Sequence, residues 1–487
     1  MEVVRRWPPV RLRFQLQQPS ESHVLSPPAR SAHDGRPILS ASIVTLGCKL
    51  NQAESYRVQV ELARAGVDLR SFGEPVDLSI VNTCTVTHVA DQQARQTLRR
   101  ARRASPGGYV VAMGCYAQIS PVEVAAVEGV DLVVTSRKEQ LVGQLEERGL
   151  KLGDVGDGLV GQASPDHPVP LPPTRVRQFV KVQDGCDDYC TYCIVPFARG
   201  HAVSRPSDDI VGEVQGLVER GCREVVLTGV QIGAYGRDRY HTHGQALPAP
   251  GAPLAALVRM LLDRTAIPRI RISSIQPQDW PDDFLDLFDD PRLCQHLHLP
   301  LQSGSHETLR RMARRYSAED FAALVQRIRA RAPDAAITAD VIVGFPGESD
   351  AEYRESLDFV RAMGFADAHV FRYSPRRGTA ASRMDAQVPP NVKQARSAEM
   401  RAVAEESAAA FRRLFLGRSA DVLWEEELAS SVSCAPQPPP RWTGLTDNYL
   451  RVTMDSFENL LGKLQAVRLA RLDGEAFQGV SVPGASH

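Results

Sequence analysis

Long apolar runs are missing from this chain of 487 residues. No run approaches the roughly 18 residues that a membrane-spanning helix needs, and the N-terminus lacks the apolar segment of a secretory signal. The formal net charge is −1, so the overall charge favours no class of partner, and any contact with RNA must come from local patches. We therefore expect a cytoplasmic protein that does not contact a membrane.

A disulfide framework is also missing, although the chain contains nine cysteines. Nine is an odd number, and the cysteines are clustered rather than spread along the chain. In a chain of this size, that distribution favours a reducing compartment and metal ligation over disulfide bonds.

The sequence pattern changes several times along a chain that is too long for one hydrophobic core. Short apolar runs alternate with helical spacing, which indicates parallel strands in an α/β multidomain protein. The predicted segments are a disordered extension (1–40), an N-terminal parallel α/β sheet domain (41–150), a linker (151–175), a central partial (β/α)6 barrel (176–415) and a small antiparallel β-barrel (416–482). Six βα units are too few for a full eight-stranded barrel, so we expect an open one.

Three cysteines follow a predicted strand of the central region at a CxxxCxxC spacing, namely Cys186, Cys190 and Cys193. Three thiolates on one short loop can hold three irons of a [4Fe–4S] cluster and leave the fourth iron open. An open iron can bind the amino and carboxylate groups of S-adenosylmethionine. The alternative is a structural zinc site, which needs four ligands, usually in CxxC pairs, and no second pair lies nearby.

A second set of three cysteines lies in the N-terminal region, where Cys48, Cys84 and Cys115 each follow a predicted strand directly. The carboxyl ends of parallel strands share one edge of the sheet, so we expect these thiols to converge there and to suit a second cluster. The alternative is three buried thiols that pack as small apolar groups. The remaining cysteines are predicted not to be ligands: Cys222, Cys294 and Cys434.

Motifs around both cysteine sets resemble the radical S-adenosylmethionine methylthiotransferases over about residues 42–480. The matching runs are Thr45–Gln52, Val81–Thr87, Gly114–Gln118, Gly185–Gly200, His298–Ser305, Gly344–Glu348 and Tyr373–Thr379. The resemblance implies transfer of a methylthio group to an unactivated carbon, with a radical from S-adenosylmethionine removing hydrogen. It also implies two [4Fe–4S] clusters, a second S-adenosylmethionine as methyl donor, a low-potential electron donor and a sulfur source.

The resemblance assigns roles to individual residues. Cys186, Cys190 and Cys193 would hold the cluster that cleaves S-adenosylmethionine and so be catalytic, while Cys48, Cys84 and Cys115 would hold the cluster that handles the sulfur. Four more positions are candidate contacts to S-adenosylmethionine, with ordinary loop geometry as the alternative: Tyr192, Thr228, Gly229 and Gly344.

The branch of the family is indicated by Gly47–Asn51 and Thr443–Tyr449, and Gln183–Cys186 supports the same branch. These runs resemble the branch that modifies threonylcarbamoyladenosine beside the tRNA anticodon. The alternatives are isopentenyladenosine of tRNA, an aspartate of a small-subunit ribosomal protein, and a non-catalytic iron–sulfur protein that binds RNA and senses iron or oxygen. The intact CxxxCxxC run disfavours the sensor, because a sensor does not need to cleave S-adenosylmethionine.

Contacts to RNA are predicted in the C-terminal region, which resembles the TRAM-like RNA-binding barrel appended to these enzymes. Trp442 and Tyr449 are candidates for stacking on unpaired bases of an anticodon loop, with packing inside the small barrel as the alternative. Two arginine-rich helices, near 95–103 and 310–315, either track phosphates or present solvated faces. We expect a monomer.

Overall fold

The computed structural model describes residues 37–135, 140–153, 175–242, 248–428 and 438–486. The predicted extension 1–40 and linker 151–175 lie mostly outside these residues, as does Cys434. In the described part of the chain, no helix combines the length and the apolar character needed to cross a membrane.

A parallel five-stranded sheet forms the N-terminal region, in the order β2-β1-β3-β4-β5. Its strands are β1 (Ser40–Thr45), β2 (Asp68–Leu69), β3 (Leu78–Thr83), β4 (Tyr109–Gly114) and β5 (Leu132–Val133). Its helices are α1 (Lys49–Arg64), α2 (His88–Ala104), α3 (Cys115–Ile119), α4 (Pro121–Ala125) and α5 (Leu141–Glu146). Ile80 and Val111 join one apolar core and Val81 and Ala112 join another, so the sheet is buried on both faces, as parallel sheets are.

Two parallel three-stranded sheets form the central region, β6-β9-β10 and β11-β12-β13, and the single bridge between Ser274 and His298 joins them. Their six strands are β6 (Arg177–Lys181), β9 (Glu224–Thr228), β10 (Arg269–Ile272), β11 (His296–His298), β12 (Ala336–Val343) and β13 (Asp367–Arg372). Two short strands, β7 (Gln183–Asp184) and β8 (Val203–Ser204), form a separate antiparallel pair. All six predicted central strands are therefore present, in chain order.

Helices cover one face of both central sheets. They are α6 (Val195–Arg199), α7 (Ser207–Glu219), α8 (Arg237–Thr242), α9 (Ala252–Arg264), α10 (His306–Arg311), α11 (Ala318–Arg331), α12 (Asp350–Met363) and α13 (Pro390–Arg413), with 3-10 turns at Ile232–Ala234, Pro277–Asp279, Asp282–Asp289 and Ala381–Arg383. Reciprocal capping boxes start α11 at Ser317 and α12 at Ser349.

The other face of the central sheets is polar, and we call it the inner face. Ile270, Leu297 and Val341 belong to the helix-covered core. Side chains alternate between the faces of a strand, so the intervening residues lie on the inner face. They include Glu224, Arg269, Arg271, Ser273, His296, His298, Thr338, Asp340 and His369.

A closed five-stranded barrel forms the C-terminal region, in the order β14-β15-β16-β18-β17. Its strands are β14 (Ser419–Leu428), β15 (Arg441–Thr446), β16 (Arg451–Asp455), β17 (Leu464–Asp473) and β18 (Ala476–Ser486). The sequence predicts an antiparallel barrel, and one pairing departs from that prediction: β16 and β18 pair in parallel. Strand β17 is antiparallel to both β14 and β18, so β18 runs in the same direction as β14. Strand β16 also runs in that direction, because β15 is antiparallel to both β14 and β16.

The position of Trp442 corrects its prediction as a base-stacking residue. Its side chain is part of the barrel core, with a residue exposure of 5%, and its indole nitrogen donates a hydrogen bond to the Ser456 carbonyl. A side chain this deeply buried has no open ring face for a nucleic-acid base. The packing alternative therefore describes Trp442.

The C-terminal barrel docks on the amino ends of the central strands through buried arginines. Arg271 donates hydrogen bonds to the Asp447 and Thr446 carbonyls at 2.7 and 3.2 Å, and also pairs with Glu224 at 2.7 Å. The ring of Tyr449 stacks on His296 with 4.5 Å between ring centroids. Base stacking by Tyr449 would have to use the 38% of the residue that remains exposed.

The N-terminal region contacts both ends of the central series of strands. Helix α1 packs against the first strand, β6. Arg376, which follows the last strand, β13, pairs with Asp91 at 2.7 Å and donates to Thr85 Oγ1 at 2.6 Å. The N-terminal sheet thus lies beside the inner face, and its cysteine-bearing edge approaches the central region.

We expect Trp442→Ala to destabilise the C-terminal barrel by about 3–5 kcal/mol, because it opens a cavity in a small core. Hydrogen exchange of the barrel amides, with urea unfolding, measures the effect. Phe457→Ala is the matched control, since Phe457 is 78% exposed, and its substitution should change stability by no more than about 0.5 kcal/mol. A Trp442→Ala protein of unchanged stability that binds RNA more weakly would restore the original prediction.

Candidate metal centres

The central cysteine loop runs from β7 to α6 and is fixed by backbone hydrogen bonds. The Cys186 amide donates to the Gly200 carbonyl at 3.1 Å, and the Cys193 amide donates to the Cys190 carbonyl at 2.9 Å. Gly185 has φ +69°, and a Cβ there would lie 1.8 Å from the His201 carbonyl oxygen. Only glycine fits this close approach, which brings the two ends of the loop together.

The thiols of this loop are free, and burial raises the pKa of Cys186 and Cys193 to about 12. Repulsion from Cys190 acts in the same direction on both thiols. The charge of Arg314 opposes this effect on the pKa of Cys193. Arg314 also donates a hydrogen bond to Cys190 Sγ at 3.2 Å. Such thiols are inert on their own and become thiolates when a metal cation binds them.

The three thiols of the central loop are not arranged as a closed site for one metal ion. Within the residues that the structure describes, only one group of three potential ligands has all its ligand atoms within 4.8 Å of one another, and it contains no cysteine. A tetrahedral zinc ion with Zn–S bonds of about 2.3 Å would hold its sulfurs closer than that. Three free thiols that converge more loosely suit the corners of a multi-iron cluster.

The four predicted contacts to S-adenosylmethionine all lie near the central cysteine loop. Tyr192 packs edge-on against Phe345 at 6.3 Å, and the Thr228 carbonyl accepts a hydrogen bond from the Val182 amide at 2.9 Å. A Cβ at Gly229 would lie 2.9 Å from Gln183 Oε1. A Cβ at Gly344 would lie 2.4 Å from Lys393 Cγ. Packing alone accounts for both glycines, so their role as cofactor contacts stays a prediction.

The second set of cysteines follows three neighbouring strands. Cys48 comes after β1, Cys84 directly after β3 and Cys115 directly after β4, and these strands are adjacent in the sheet. A Cβ on Gly47 would lie 2.8 Å from Cys84 Cβ, so the Cys48 and Cys84 loops touch. Burial raises the pKa of Cys84 to about 11, and Cys115 and Cys48 raise it further by repulsion.

One buried arginine joins the two cysteine sets. Arg199, whose side chain is 3% exposed, lies on the helix that follows the central loop. It donates to Asn51 Oδ1 at 2.6 Å, Glu54 Oε1 at 2.8 Å and Asp184 Oδ1 at 3.0 Å. The first two partners belong to α1 and the third precedes Cys186. Sequence analysis did not identify Arg199 as a site residue, since its partners lie up to 148 positions away in the chain.

Asn51 extends this link to both neighbouring cysteine loops. Its amide nitrogen donates to the Leu46 carbonyl at 2.9 Å and to the Thr83 carbonyl at 3.1 Å. These carbonyls come just before Cys48 and Cys84. One side chain therefore holds two loops of the N-terminal sheet, while its oxygen accepts the hydrogen bond from Arg199.

Most arginine side chains of the two arginine-rich helices contact other side chains of the protein. Arg314 touches Cys190, and Arg95 and Arg102 contact Glu123 and Asp131. The others with carboxylate partners are Arg310 with Glu307, Arg311 with Glu352, and Arg315 with Asp188. Arg99 and Arg103 are exposed. Neither helix is a continuous face of unpaired cations.

A polar cluster that sequence analysis missed lies on the inner face. His298 Nε2 and His369 Nδ1 each lie 3.3 Å from Asp340 Oδ1. Against the effect of burial, the two histidines hold the pKa of Asp340 well below its usual range. The signal was present as polar residues alternating with apolar ones in 296–302 and 336–343. Of the other two described cysteines, Cys222 is buried in the helix-covered core and Cys294 is buried with its sulfur 4.0 Å from Glu224 Oε2.

Comparison with known proteins covers both cysteine sets. Residues 180–360 match the Radical SAM superfamily, and residues 40–135 match the uncharacterized protein family UPF0004. The chain is 36% identical to a threonylcarbamoyladenosine tRNA methylthiotransferase MtaB of Bacillus subtilis over 88% of this chain and 93% of that protein. It is 34% identical to a tRNA-2-methylthio-N(6)-dimethylallyladenosine synthase of Cereibacter sphaeroides over 88% and 95%.

A solved structure shows the same fold at lower sequence identity. The radical S-adenosylmethionine methyltransferase TsrM of Kitasatospora setae, with cobalamin and a [4Fe–4S] cluster bound, superposes with a TM-score of 0.50 at 15% identity. The match covers 71% of this chain and 77% of that chain. The central parallel α/β region is therefore a radical S-adenosylmethionine fold.

We expect Arg199→Met to loosen the contact between the two cysteine sets, because it leaves buried Glu54 without its main partner, at a cost of about 3–5 kcal/mol. Hydrogen exchange should quicken in 46–55 and 184–200 while the C-terminal barrel stays unchanged. Arg70→Met is the control, since Arg70 and Asp68 form a solvent-exposed pair that other residues do not depend on for burial. Equal exchange in both variants would show that Arg199 does not join the cysteine sets.

Proposed function

The chain belongs to the methylthiotransferase family of radical S-adenosylmethionine enzymes, and on that premise we propose that it adds a methylthio group to C2 of N6-threonylcarbamoyladenosine beside the anticodon of tRNA. The observation that carries the proposal is the pair of converging thiol sets that Arg199 joins. A tRNA substrate would place the enzyme in the cytoplasm.

The cofactors follow from the donor groups. Cys186, Cys190 and Cys193 would hold a [4Fe–4S] cluster, which the family implies together with S-adenosylmethionine. Cys48, Cys84 and Cys115 present a matching donor set and would hold a second cluster. When bound, these cofactors supply hydrogen abstraction, sulfur transfer and methyl transfer. Hydrogen abstraction by a radical is needed because an aromatic C–H is too weak an acid for a general base to deprotonate.

The residues of the chain bind and orient. Arg314 places a positive charge and an N–H donor against Cys190. Arg199 and Asn51 fix the two thiol sets relative to each other. The inner face lies between the N-terminal sheet and the central strands, and it offers polar groups to a substrate that enters there.

The choice of substrate rests on the relatives and on the C-terminal barrel. The Bacillus subtilis relative is named for threonylcarbamoyladenosine, and the Gly47–Asn51 and Thr443–Tyr449 runs favour the same branch. We propose that the barrel is TRAM-like and contacts tRNA, and that the central strands form a partial barrel between about 176 and 415. The second candidate is dimethylallyladenosine, because a relative of similar identity is named for that substrate.

Iron content tests the two clusters. We expect about eight irons per chain after anaerobic reconstitution and about four in the triple variant Cys48→Ala, Cys84→Ala and Cys115→Ala. Cys222→Ala is the matched control, because this buried thiol lies apart from both sets, and it should leave iron unchanged. Equal iron content in the triple variant and the wild type would show that these three cysteines do not hold a second cluster.

Mass spectrometry of tRNA nucleosides tests the reaction. In a host deleted for its own methylthiotransferases, the chain should produce 2-methylthio-threonylcarbamoyladenosine, and Cys186→Ala should abolish the product. If only the isopentenyl (dimethylallyl) derivative gains the methylthio group, the second candidate, dimethylallyladenosine, becomes the proposed substrate. Absence of both, in a host with adequate iron, would favour the ribosomal protein as substrate.

A further inference from the structure

Three neighbouring strands bring two histidines and a carboxylate to one place on the inner face. Strands β11, β12 and β13 are adjacent in the sheet and carry His298, Asp340 and His369 in that order. Asp340 lies directly opposite His369 in the parallel register, and His298 lies opposite Thr338, two residues before Asp340. Side chains two positions apart in a strand share a face, so the register alone places the three groups side by side.

The distances within this group fit the ligand shell of one metal ion. His298 Nε2 and His369 Nδ1 both lie 3.3 Å from the same oxygen, Asp340 Oδ1, and the three ligand atoms all lie within 4.8 Å of one another. Ligand atoms around a tetrahedral zinc ion with bonds of about 2.0–2.2 Å are separated by about 3.3–3.6 Å. A charge-assisted hydrogen bond is shorter, at about 2.7–2.9 Å. The carboxylate oxygen is therefore spaced from both imidazoles as a fellow ligand is.

Each histidine has a polar partner at its second ring nitrogen, as metal-binding histidines do. His298 Nδ1 lies 2.7 Å from Ser274 Oγ, and His369 Nε2 lies 3.6 Å from Asp367 Oδ2. Outer partners of this kind fix the tautomer and the orientation of the ring, so that the other nitrogen presents its lone pair to a metal. Here the nitrogens left to bind a metal are the two that face Asp340.

The group opens to solvent on one side. The side chains of His298, Asp340 and His369 are 10%, 27% and 57% exposed. A side chain as exposed as His369 changes rotamer readily, so its ring can close on a bound ion. Three protein ligands with an open fourth position are typical of catalytic zinc sites, whereas structural sites are closed by a fourth ligand. The geometry therefore matches an open site.

The donor atoms select the class of metal. Two imidazoles and one carboxylate form the ligand set of some catalytic zinc sites and of non-haem iron(II) sites. Calcium and magnesium prefer shells made of oxygen ligands, so two nitrogens disfavour them. The set contains no cysteine, which separates it from the two cysteine sets.

We propose that His298, Asp340 and His369 form a site for one divalent transition-metal ion, whose open position binds an oxygen ligand at the inner face. The oxygen comes from water or from a bound substrate, which the ion would then orient. The inference goes beyond the proposed function and does not rest on it, because it concerns metal binding alone. The alternative is a hydrogen-bonded network without a metal, and the two make different predictions.

Zinc binding by the reconstituted full chain tests the site. The chain carries no histidine tag, and its iron–sulfur clusters are assembled first, so that iron occupies the cysteine sets. Zinc is the probe because it can be distinguished from cluster iron. After incubation with zinc chloride and desalting, we expect about one zinc ion per chain, with X-ray absorption at the zinc edge showing nitrogen and oxygen ligands at about 2.0–2.1 Å and no sulfur at about 2.3 Å.

Two variants remove one ligand each. His369→Gln changes an exposed side chain, so it should fold as wild type and bind zinc at least about 100-fold more weakly, since loss of an outer partner alone costs about 10–100-fold. Asp340→Asn keeps the shape of the side chain and its capacity for hydrogen bonds but loses the anionic ligand, so it should also lose zinc. Competition with a chromophoric chelator measures both affinities. His306→Gln is the matched control, because His306 is exposed at the start of α10 and outside the group.

Three results would each overturn the inference. They are a wild-type chain that retains no zinc, a bound zinc with sulfur ligands, and equal zinc affinity in His369→Gln and the wild type. A network without a metal predicts the first of these. Hydrogen exchange in 296–302 and 336–343 checks that the variants keep the fold of both strands. If Asp340→Asn loosens these strands, the comparison of His369→Gln with His306→Gln decides.

Discussion

The guanidinium group of Arg199 is the interaction on which the arrangement of the two cysteine sets depends. It is buried, it bonds α1 through Asn51 and Glu54, and it bonds the segment before Cys186 through Asp184. A planar group with several fixed donors suits this task, because one side chain can hold three partners at set angles. Removal of this group would leave buried Glu54 paired, among the described residues, only with Lys181, at the longer distance of 3.7 Å. The two halves of the candidate site are therefore joined by charge rather than by apolar packing.

Buried arginines also join the three regions at their other contacts. Arg271 and Arg269 bond to carbonyl groups of the C-terminal barrel, and Arg376 bonds to Thr85 and Asp91 of the N-terminal region. A buried ion pair adds little net stability against apolar packing. It does require its partners to meet at one geometry, since a misplaced charge would be left in a dry environment. Charged residues of the inner face, among them Arg269 and Arg271, make these docking contacts, and this accounts for part of the polarity of the face.

Parts of the fold could be predicted from the sequence because local pattern decides them. The alternation of short apolar runs with helical spacing predicts parallel strands, and β3, α2 and β4 show that alternation in the N-terminal region. Both cysteine sets follow strands, as their positions in the chain indicate. Trp442 was predicted wrongly, because the alternation of a strand tells which residues share a face but not which face the barrel encloses. The parallel pairing of β16 with β18 depends on how the barrel closes, which no local signal reports.

The sequence by itself determined the family, the order of strands and helices, and the six cysteines that are candidates for the clusters, because spacing and alternation are properties of neighbouring residues. Only the tertiary structure decided that Arg199 and Asn51 join the two cysteine sets and that Arg314 touches Cys190. Those contacts join residues far apart in the chain, and burial sets their strength. Burial depends on how the three regions pack, so it cannot be read from neighbours in the sequence.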